Sequence, residues 1–263
     1  MALTIATWNI NSVRLRADLV ARFLETEAPD VLCLQETKTP VDKFPAERFA
    51  AVGYPHLVAR GEKAYNGVAV LARVPLEDAG QHDFCAKGDA RHVAARLPDG
   101  TLVHSLYVPS GGDAPDREAN PKFAHKLDFV AEMQRWAAGA GVRAVLVGDL
   151  NIAPREHDVW SHKDMLKIVS HTPVECDALN AAQAAGGWQD VVRDARPEPE
   201  KLYSWWSYRA RDWDAADRGR RLDHIWARGV AADLASVRLL RAWRGAEKPS
   251  DHVPVLARFD IPA

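Results

Sequence analysis

The chain has 263 residues, with 34 Lys and Arg against 36 Asp and Glu, and a formal net charge of −2 at pH 7. Its length suits one large α/β domain or two small ones. A composition of 47% hydrophobic and 27% charged residues excludes a disordered, collagenous or coiled-coil protein. Because the net charge is close to zero, any surface for a polyanion must come from local clustering of bases.

The cysteines and the start of the chain bear on its compartment. Cys33, Cys85 and Cys176 are widely spaced and form no CxxC pair, which is typical of reduced thiols rather than of a zinc site or a disulfide framework. No apolar run approaches the roughly 18 residues of a membrane span, and the apolar start at 3–8 lacks a basic leader. We therefore expect no targeting signal, no membrane partner and a cytoplasmic protein.

In the first half of the chain, strand patterns alternate with two helical ones. Alternating apolar residues at 3–9 predict a strand, and Ser12 is expected to cap a helix that runs to about Ala28. The apolar run at 31–34 indicates a short buried strand ending at Gln35-Glu36. The further predicted elements are a short helix at 45–51 and strands at 54–60, 67–73, 91–97 and 101–108.

Two helix starts stand out in the second half. Asn120-Pro121 opens a helix to about Ala138, and Thr172-Pro173-Val174-Glu175 is a capping box that opens a helix to about Ala185. Strands are predicted at 143–147, 222–228, 236–241 and 253–260, and 201–221 is interpreted as a long surface loop. No repeat, linker or low-complexity segment interrupts the pattern, so we expect one domain over 1–263.

Polar residues follow several of the predicted strands. Glu36 comes directly after Val-Leu-Cys-Leu and Asp149 after Val-Leu-Val-Gly, where burial and neighbouring charges can tune a carboxylate. Others in such positions are Asn9, Asn11, Tyr107, Asn151, Asp223, Asp251 and His252. Any one of them alone is typical of a turn former, but together they indicate a site. A cluster of Glu, Asp and Asn without cysteine suits Mg²⁺ or Mn²⁺ better than zinc.

Seven short blocks resemble the exonuclease III family of apurinic/apyrimidinic endonucleases. They are Trp8-Asn9-Ile10-Asn11, Leu34-Gln35-Glu36-Thr37-Lys38, Tyr107-Val108-Pro109, Gly148-Asp149-Leu150-Asn151, Trp205-Trp206-Ser207-Tyr208-Arg209, Arg221-Leu222-Asp223 and Lys248-Pro249-Ser250-Asp251-His252. Each is weak alone, but they occur in the family's order and spacing over nearly the whole chain. The resemblance implies an α/β fold, a four-layer α/β sandwich of two packed mixed sheets flanked by helices.

The resemblance also implies an activity. This is Mg²⁺-dependent hydrolysis of a DNA phosphodiester 5′ to an abasic site, with Mn²⁺ as an alternative ion, accompanied by processing of blocked 3′ ends and 3′→5′ exonuclease action. The partner is double-stranded DNA with abasic sites or blocked 3′ ends, and the protein is expected to be a monomer associated with the nucleoid.

Roles are carried over by position. The implied metal ligands are Glu36, Asn9 and Asp251, and the implied catalytic groups are Tyr107, Asp149, Asn151, Asp223 and His252. In this scheme Asp149 and Asn151 handle the nucleophilic water and the phosphate, Asp223 pairs with His252, and Tyr107 contacts the phosphate. The implied substrate-binding residues are Asn11, Ser110, Trp205, Arg209, Arg220 and Leu222. Whether Asp149 or His252 is the general base, and whether one metal or two bind, stays open at this point.

Residues 201–228 carry seven bases against four acids, a local charge of +3, and Trp205, Trp206, Tyr208 and Trp213 are interleaved with the bases. Arginines interleaved with aromatics suit an extruded sugar or base and its flanking phosphates. Trp205 and Leu222 match the family's abasic-sugar pocket, whereas Trp206 or Tyr208 is expected to be a core anchor. Arg14 and Arg16 suit either a contact to the DNA backbone or a solvated helix face.

Three departures from the family's pattern concern the balance among its activities. Ser110 stands where Asn or Gln is commoner, Ser207 replaces a frequent Asp, and Arg220 replaces an apolar or aromatic residue. One alternative is therefore a specialised 3′-phosphatase or 3′-exonuclease with weak abasic incision. A second is a phosphoinositide-type phosphatase or another hydrolase of the same superfamily, and a third is a non-catalytic DNA-binding module on this fold.

Overall fold

The structure, a computed structural model, describes residues 2–261. Its strands are β1 Ala2–Asn9, β2 Val31–Gln35, β3 His56–Glu62, β4 Tyr65–Ala72, β5 Glu77–Asp78, β6 His92–Arg96, β7 Leu102–Tyr107, β8 Ala144–Asp149, β9 Gln189–Asp190, β10 Asp223–Arg228, β11 Ala231–Leu239 and β12 Val255–Asp260. Its α-helices are α1 Ala17–Thr26, α2 Ala46–Ala50, α3 Pro121–Trp136, α4 His162–Met165, α5 Pro173–Ala185, α6 Val191–Ala195 and α7 Trp213–Ala216.

The strands form two six-stranded mixed sheets. The first has the order β11-β12-β1-β2-β4-β3 and the second the order β5-β6-β7-β8-β10-β9. Each sheet contains one parallel pair, β1 with β2 and β7 with β8, and its other pairs are antiparallel. The first and last long strands of the chain, β1 and β12, lie side by side.

Alternation along the strands builds four layers. Ile5 of β1 and Val145 and Val147 of β8 meet in the cluster between the two sheets. Trp8 faces the opposite side of the first sheet, where its ring lies 5.3 Å from that of Phe23 on α1. The other face of the second sheet is covered by α3 and α5. Each sheet is thus apolar on both faces, and the predicted four-layer sandwich is confirmed.

The two helix starts of the second half lie where the sequence placed them. The Asn120 side chain accepts a hydrogen bond from the backbone N–H of Lys122 at the start of α3. At the start of α5 the Thr172 hydroxyl and the Glu175 carboxylate make the reciprocal bonds of a capping box. A side-chain oxygen satisfies an otherwise unpaired backbone N–H at each of these helix ends.

The predicted start of α1 is wrong. The helix begins at Ala17 and no side chain caps it, while Ser12 has a left-handed φ of 86°. The backbone N–H of Ser12 donates to the carbonyl of Glu36 at 2.7 Å, so this segment is held against the end of β2 instead of entering a helix. Single-sequence capping patterns do not register such a long-range bond.

Residues 201–221 are only partly the surface loop that was predicted. Leu202, Tyr203 and Trp206 are buried, and the short helix α7 interrupts the segment. Trp205 and Arg220 exchange backbone hydrogen bonds of 3.0 Å as an isolated bridge. The short elements β5, β9, α4 and α6 were also missed, because two to five residues carry no usable periodicity. No helix within residues 2–261 is long and apolar enough to cross a bilayer.

Candidate active site

Strand ends from both sheets meet at one edge of the sandwich. Asp149 ends β8, and its register partners are Tyr107 on β7 and Asp223 on β10. Asn9 ends β1 and Glu36 follows β2. The Asn9 amide Nδ2 donates to Glu36 Oε1 and to Asp149 Oδ2, each at 2.8 Å, so one side chain ties the two sheets together at the site.

Gly148 places Asp149 at that edge. It has a φ of +147°, and a Cβ at this position would lie 1.9 Å from the Leu106 carbonyl oxygen of the neighbouring strand. Only glycine allows this close approach of β7 and β8. The Gly-Asp pair of the sequence motif therefore has a backbone reason as well as a chemical one.

Left-handed backbone recurs among the residues that follow these strands. Asn11, Glu36, Lys38 and Asn151 have φ values of 47°, 50°, 51° and 53°. Such values are uncommon for residues with side chains and persist only where the surroundings enforce them. At Asn151 the backbone N–H donates to Asp149 Oδ1 at 2.9 Å. Strained backbone concentrated at one edge of the sheets is typical of a functional site.

Asp149, Asp223 and His252 form a buried carboxylate–imidazole group. Asp223 Oδ2 lies 2.7 Å from His252 Nδ1, and Asp149 Oδ2 lies 3.7 Å from His252 Nε2. One ligand atom from each of the three falls within 4.8 Å of the others. Asp223 and His252 are thus in contact, as the sequence analysis expected, while their roles stay predictions.

Charge compensation in this group is incomplete. Burial alone would lower the pKa of the His252 imidazole, but the carboxylates of Asp223 and Asp149 outweigh it and raise that pKa to about 10. Burial raises the pKa of Asp149 to about 7, and the nearby carboxylates of Asp223 and Glu36 oppose the lowering effect of His252. The site therefore favours the charged imidazole, and Asp149 is the carboxyl whose pKa burial moves toward neutrality.

Glu36 stands in an oxygen-rich position beside this group. Burial would raise its pKa, but the ammonium of Lys38 at 2.7 Å and the amide of Asn9 outweigh burial and lower it. Lys38 Nζ also donates to Asn11 Oδ1 at 2.6 Å. The Glu36 carboxylate is thus ionised, partly exposed and turned toward polar partners.

The other two side chains predicted near the metal lie on either side of this region. The Asn9 Oδ1 accepts from the backbone N–H of Asn11 at 3.1 Å. Asp251 Oδ1 accepts from the Asn11 amide at 3.1 Å, and its Oδ2 accepts from Trp205 Nε1 at 2.9 Å. Asp251 therefore joins the site to the wall that carries Trp205.

Tyr107 and Asn151 face the same space. The Tyr107 ring lies 4.8 Å from the Arg91 guanidinium, and burial together with the charges of Glu36 and Asp149 raises its pKa well above the ordinary value. Its hydroxyl thus stays protonated and is available as a hydrogen-bond donor. The Asn151 amide donates to the Val108 carbonyl at 2.9 Å and to Asp149 Oδ2 at 3.1 Å, which fixes its orientation.

A cleft of about 830 Å³ opens over these groups. On one side lie the polar residues Glu36, Tyr107, Asp149, Asn151 and His252. The other walls are formed by Ser110, Trp160, Met165, Trp205, Arg209, Arg218, Arg220 and Leu222, among others. Every predicted substrate-binding residue except Asn11 lines this cleft, and Asn11 contacts Asp251, which does.

Two arginine–tryptophan stacks form the far wall of the cleft. The Arg220 guanidinium lies 4.9 Å from the Trp205 ring, and that of Arg218 lies 4.7 Å from the Trp160 ring. Leu222 and Met165 belong to the apolar cluster beneath them. The wall therefore combines flat aromatic faces, aliphatic side chains and positive charge.

A fully buried ion pair supports the floor of the cleft. Lys126 Nζ lies 2.5 Å from Glu175 and donates to the Ser110 carbonyl at 3.2 Å and to the Asn151 carbonyl at 2.8 Å. Nothing in the sequence indicates that a single lysine on the apolar face of a helix is buried and paired. Lys126 was accordingly missed, and so was Trp160, which lies in a stretch without periodicity.

Several bases of the 201–228 segment do not face the cleft. Arg221 is fully buried and binds Asp158 and Asp190, and Arg228 donates to the carbonyls of Ala137 and Gly186. Arg16, for which two exposed roles were expected, is instead buried against the carbonyls of Ile10 and Lys248. The net charge of a segment therefore overstates its binding surface.

The expected core anchor in this segment is Trp206. It is 2% exposed, whereas Tyr208 is 48% exposed and donates its hydroxyl to the Pro249 carbonyl.

Comparison with known sequences gives consistent matches along the chain. The Endonuclease/Exonuclease/phosphatase family matches residues 6–252. Exodeoxyribonuclease III of Haemophilus influenzae is 28% identical over 96% of this chain and 98% of its own length. The DNA repair nuclease APEX1 of Danio rerio is 28% identical over 95% of this chain and 80% of its own length.

Solved structures show the same likeness. A 3′ phosphatase, NExo, from Neisseria, bound to a product DNA hairpin, superposes with a TM-score of 0.87 at 31% identity, covering 98% of this chain and 99% of that one. An AP endonuclease from Archaeoglobus fulgidus gives a TM-score of 0.86 at 32% identity, covering 98% of this chain and 100% of that one.

Proposed function

Since this chain belongs to the Endonuclease/Exonuclease/phosphatase family and is a phosphodiester hydrolase of the exonuclease III and AP endonuclease type, we propose that it incises DNA 5′ to abasic sites and processes blocked 3′ ends, with 3′→5′ exonuclease activity. The observation that carries the proposal is the buried group of Asp149, Asp223 and His252, which opens onto a cleft walled by tryptophan and arginine. A module that only binds DNA has no need to bury these charges together.

The residues beside this group fit Mg²⁺, with Mn²⁺ as an alternative. The donor set is oxygen-only, the Glu36 carboxylate is ionised, and the cysteines lie elsewhere. We propose that Glu36 and Asn9 would hold the ion, with Asp251 supporting them. When bound, such an ion neutralises the charge that gathers on the phosphate oxygens.

His252 and Asp149 divide the proton chemistry in this proposal. Because Asp223 keeps the His252 imidazole protonated, its Nε2–H donates to a phosphate oxygen and cannot accept a proton. Asp149, whose pKa is close to neutral, is then the group that accepts the proton of the attacking water. Tyr107 supplies a further hydrogen-bond donor to the phosphate, while the Asn151 amide orients Asp149 toward the water.

The cleft wall is proposed to receive the DNA. Trp205 and Leu222 form the apolar surface for an extruded abasic sugar, which is easier to extrude than a stacked nucleotide. Arg209 and Arg218 lie where flanking phosphates would pass. In this role the protein acts as a monomer on double-stranded DNA, in the cytoplasm and associated with the nucleoid.

One assay tests this function. A duplex with a tetrahydrofuran abasic analogue should be incised with Mg²⁺, not with EDTA, and again after Mg²⁺ is restored. Glu36→Gln should reduce turnover by about 10³-fold, since a bound ion contributes several kcal/mol of transition-state stabilisation, and should weaken Mg²⁺ binding measured by calorimetry, while the exposed Glu77→Gln should do neither. Full activity in EDTA, or in Glu36→Gln, would reject the proposed metal site.

A second candidate is a specialised 3′-phosphatase with weak abasic incision. Arg220 favours it, because a charged side chain stands in the pocket wall where the family has an apolar or aromatic one. A 3′-phosphate duplex assayed beside the abasic duplex separates the two candidates, and hydrolysis of a phosphoinositide but of neither duplex would exclude both.

A further inference from the structure

The arginines of the cleft wall differ from most others in the protein. Arg221, Arg241 and Arg258 are each bound to carboxylates. In contrast, among residues 2–261 Arg209, Arg218 and Arg220 have no carboxylate oxygen within ion-pair distance, although all three line the cleft. Their charge is therefore available to a ligand.

Arg220 is the member of this set that is fixed in place. Its Nη1 donates to the Val169 carbonyl at 3.2 Å and to Ser170 Oγ at 2.9 Å, and its guanidinium carbon lies over the Trp205 ring, 4.9 Å from the ring centre. Its backbone is tied to Trp205 by two hydrogen bonds. A side chain held by these contacts is part of the wall and does not swing out into solvent.

The carboxylate closest to balancing Arg220 is already used. Glu175 faces Lys126 at 2.5 Å and accepts the backbone N–H groups of Ser170 and Thr172. Arg220 Nε is buried and has no hydrogen-bond partner among residues 2–261. The pocket wall thus carries an uncompensated guanidinium with donor capacity to spare.

We infer that Arg220 makes this pocket selective for DNA 3′ fragments whose group beyond the scissile phosphate is anionic, a carboxylate or a second phosphate. The inference rests on the proposed function and names its preferred substrate class. An uncharged group against Arg220 covers the guanidinium without pairing it, which is costly. An anion accepts a charge-assisted hydrogen bond, and the 3′ phosphate that follows an internal abasic sugar is such an anion.

The hydrolysis itself is the same for either fragment. Water forms a bond to phosphorus, the bond from phosphorus to the 3′ oxygen breaks, and that oxygen leaves as a 3′-hydroxyl after gaining a proton. The released fragment keeps the phosphate and whatever group was attached beyond it. In this proposal only the attached group contacts Arg220. Rate differences between substrates that differ in this group therefore measure the effect of Arg220.

The test uses three duplexes that differ only in that group. Their 3′ phosphates carry a 2-hydroxyethyl, a carboxymethyl or a 2-phosphoethyl ester, so the first is neutral and the other two separate carboxylate from phosphate. For the wild-type protein we expect kcat/KM to be at least about tenfold higher for one or both anionic esters than for the neutral one, mostly through KM, since a charge-assisted bond is worth that much.

Variants assign the preference to Arg220. Arg220→Met should bring the ratio of anionic to neutral substrates close to one while cleavage of the neutral ester persists, and Arg220→Lys should keep part of the ratio. Arg241→Met is the matched control, because Arg241 also stacks on tryptophan, 4.8 Å from Trp206, but outside the cleft and paired with Asp214 and Asp217. It should keep the wild-type ratio.

Each other outcome has a definite meaning. Equal rates of the wild-type protein on charged and neutral esters would overturn the inference without any variant, as would an unchanged ratio in Arg220→Met that melts at the wild-type temperature. Cleavage of none of the three, nor of the abasic duplex, would instead overturn the proposed function.

Discussion

Two buried ionic clusters lie at the start of β10, and they differ in how completely their charges cancel. In the first, Arg221 donates to Asp158 and Asp190 through all three of its nitrogens, and Arg193 binds Asp158 as well. In the second, the single imidazole of His252 faces Asp223 and Asp149, and Asp223 Oδ1 has no partner among residues 2–261.

The difference separates structure from chemistry. In the first cluster two arginines balance two aspartates, so no charge is left over for a substrate. This cluster holds the chain in place next to the active site. The second keeps an excess carboxylate whose pKa is moved toward neutrality. Burial alone therefore does not mark a reactive site, whereas incomplete compensation does.

The largest effect should come from breaking the second cluster. Asp223→Asn and His252→Asn should each lower abasic incision by about 10³-fold at saturating Mg²⁺, since each disrupts the same charged imidazole. The double variant should lose little more than either single variant, because the two side chains act as a unit. Single losses that multiply in the double variant would show that they act separately.

Breaking the first cluster should cost stability instead. Arg221→Met leaves Asp158 and Asp190 buried without their main cation, and removing one partner of a buried pair costs about 3–5 kcal/mol. Urea unfolding should show this loss, while the activity of the molecules that remain folded changes far less than in His252→Asn. A variant as stable as the wild type would mean that the cluster is not a structural ion pair.

A third buried group, a pair of histidines, affects stability in a way that depends on pH. His92 and His104 stack with ring centroids 5.3 Å apart, and burial lowers the pKa of His104 to about 4 and that of His92 well below its usual value. The unfolded chain takes up protons below about pH 6.5 while the folded protein does not. The two neutral imidazoles therefore contribute to the free energy of unfolding above pH 6.5, and this contribution is lost as the pH falls toward 4.

Because of His104, the free energy of unfolding should fall by about 2 kcal/mol between pH 7.5 and pH 5.0. Urea unfolding at the two pH values checks it, and His104→Gln should reduce the pH dependence by about this amount while His56→Gln on β3 keeps it. An equal slope in all three proteins would contradict the assignment.

The smallest effect concerns the cleft wall, which lies outside both clusters. Trp205→Ala should remove about a tenfold preference for a tetrahydrofuran duplex over an undamaged one, since the apolar contact between the indole and the sugar is worth about 1.4 kcal/mol. Binding of undamaged DNA, measured by fluorescence anisotropy in the same salt, should change little. If the double variant Trp205→Ala/Leu222→Ala keeps the preference, the pocket lies elsewhere.

Much of this arrangement could be predicted from the sequence, because its motifs lie at strand ends and its helix caps are local. Glu36, Asp149 and His252 follow or precede apolar runs whose period is visible, and Thr172 with Glu175 spells out a capping box. What sequence could not show are pairings between distant positions. Arg221 and Arg220 are neighbours in the chain, yet one meets two aspartates and the other an open cleft.

The contact between β1 and β12 bears on the order in which the parts of the site are completed during synthesis. Trp8 Nε1 donates to the His252 carbonyl at 3.0 Å, Ser250 Oγ donates to the Asn9 carbonyl at 2.6 Å, and β12 pairs with β1 along its length. The imidazole and the strand that seats it come after Glu36 and Asp149 in the sequence and are therefore synthesised later. Glu36 and Asp149 are therefore already present in a nascent chain before the side chain that completes their group has been added.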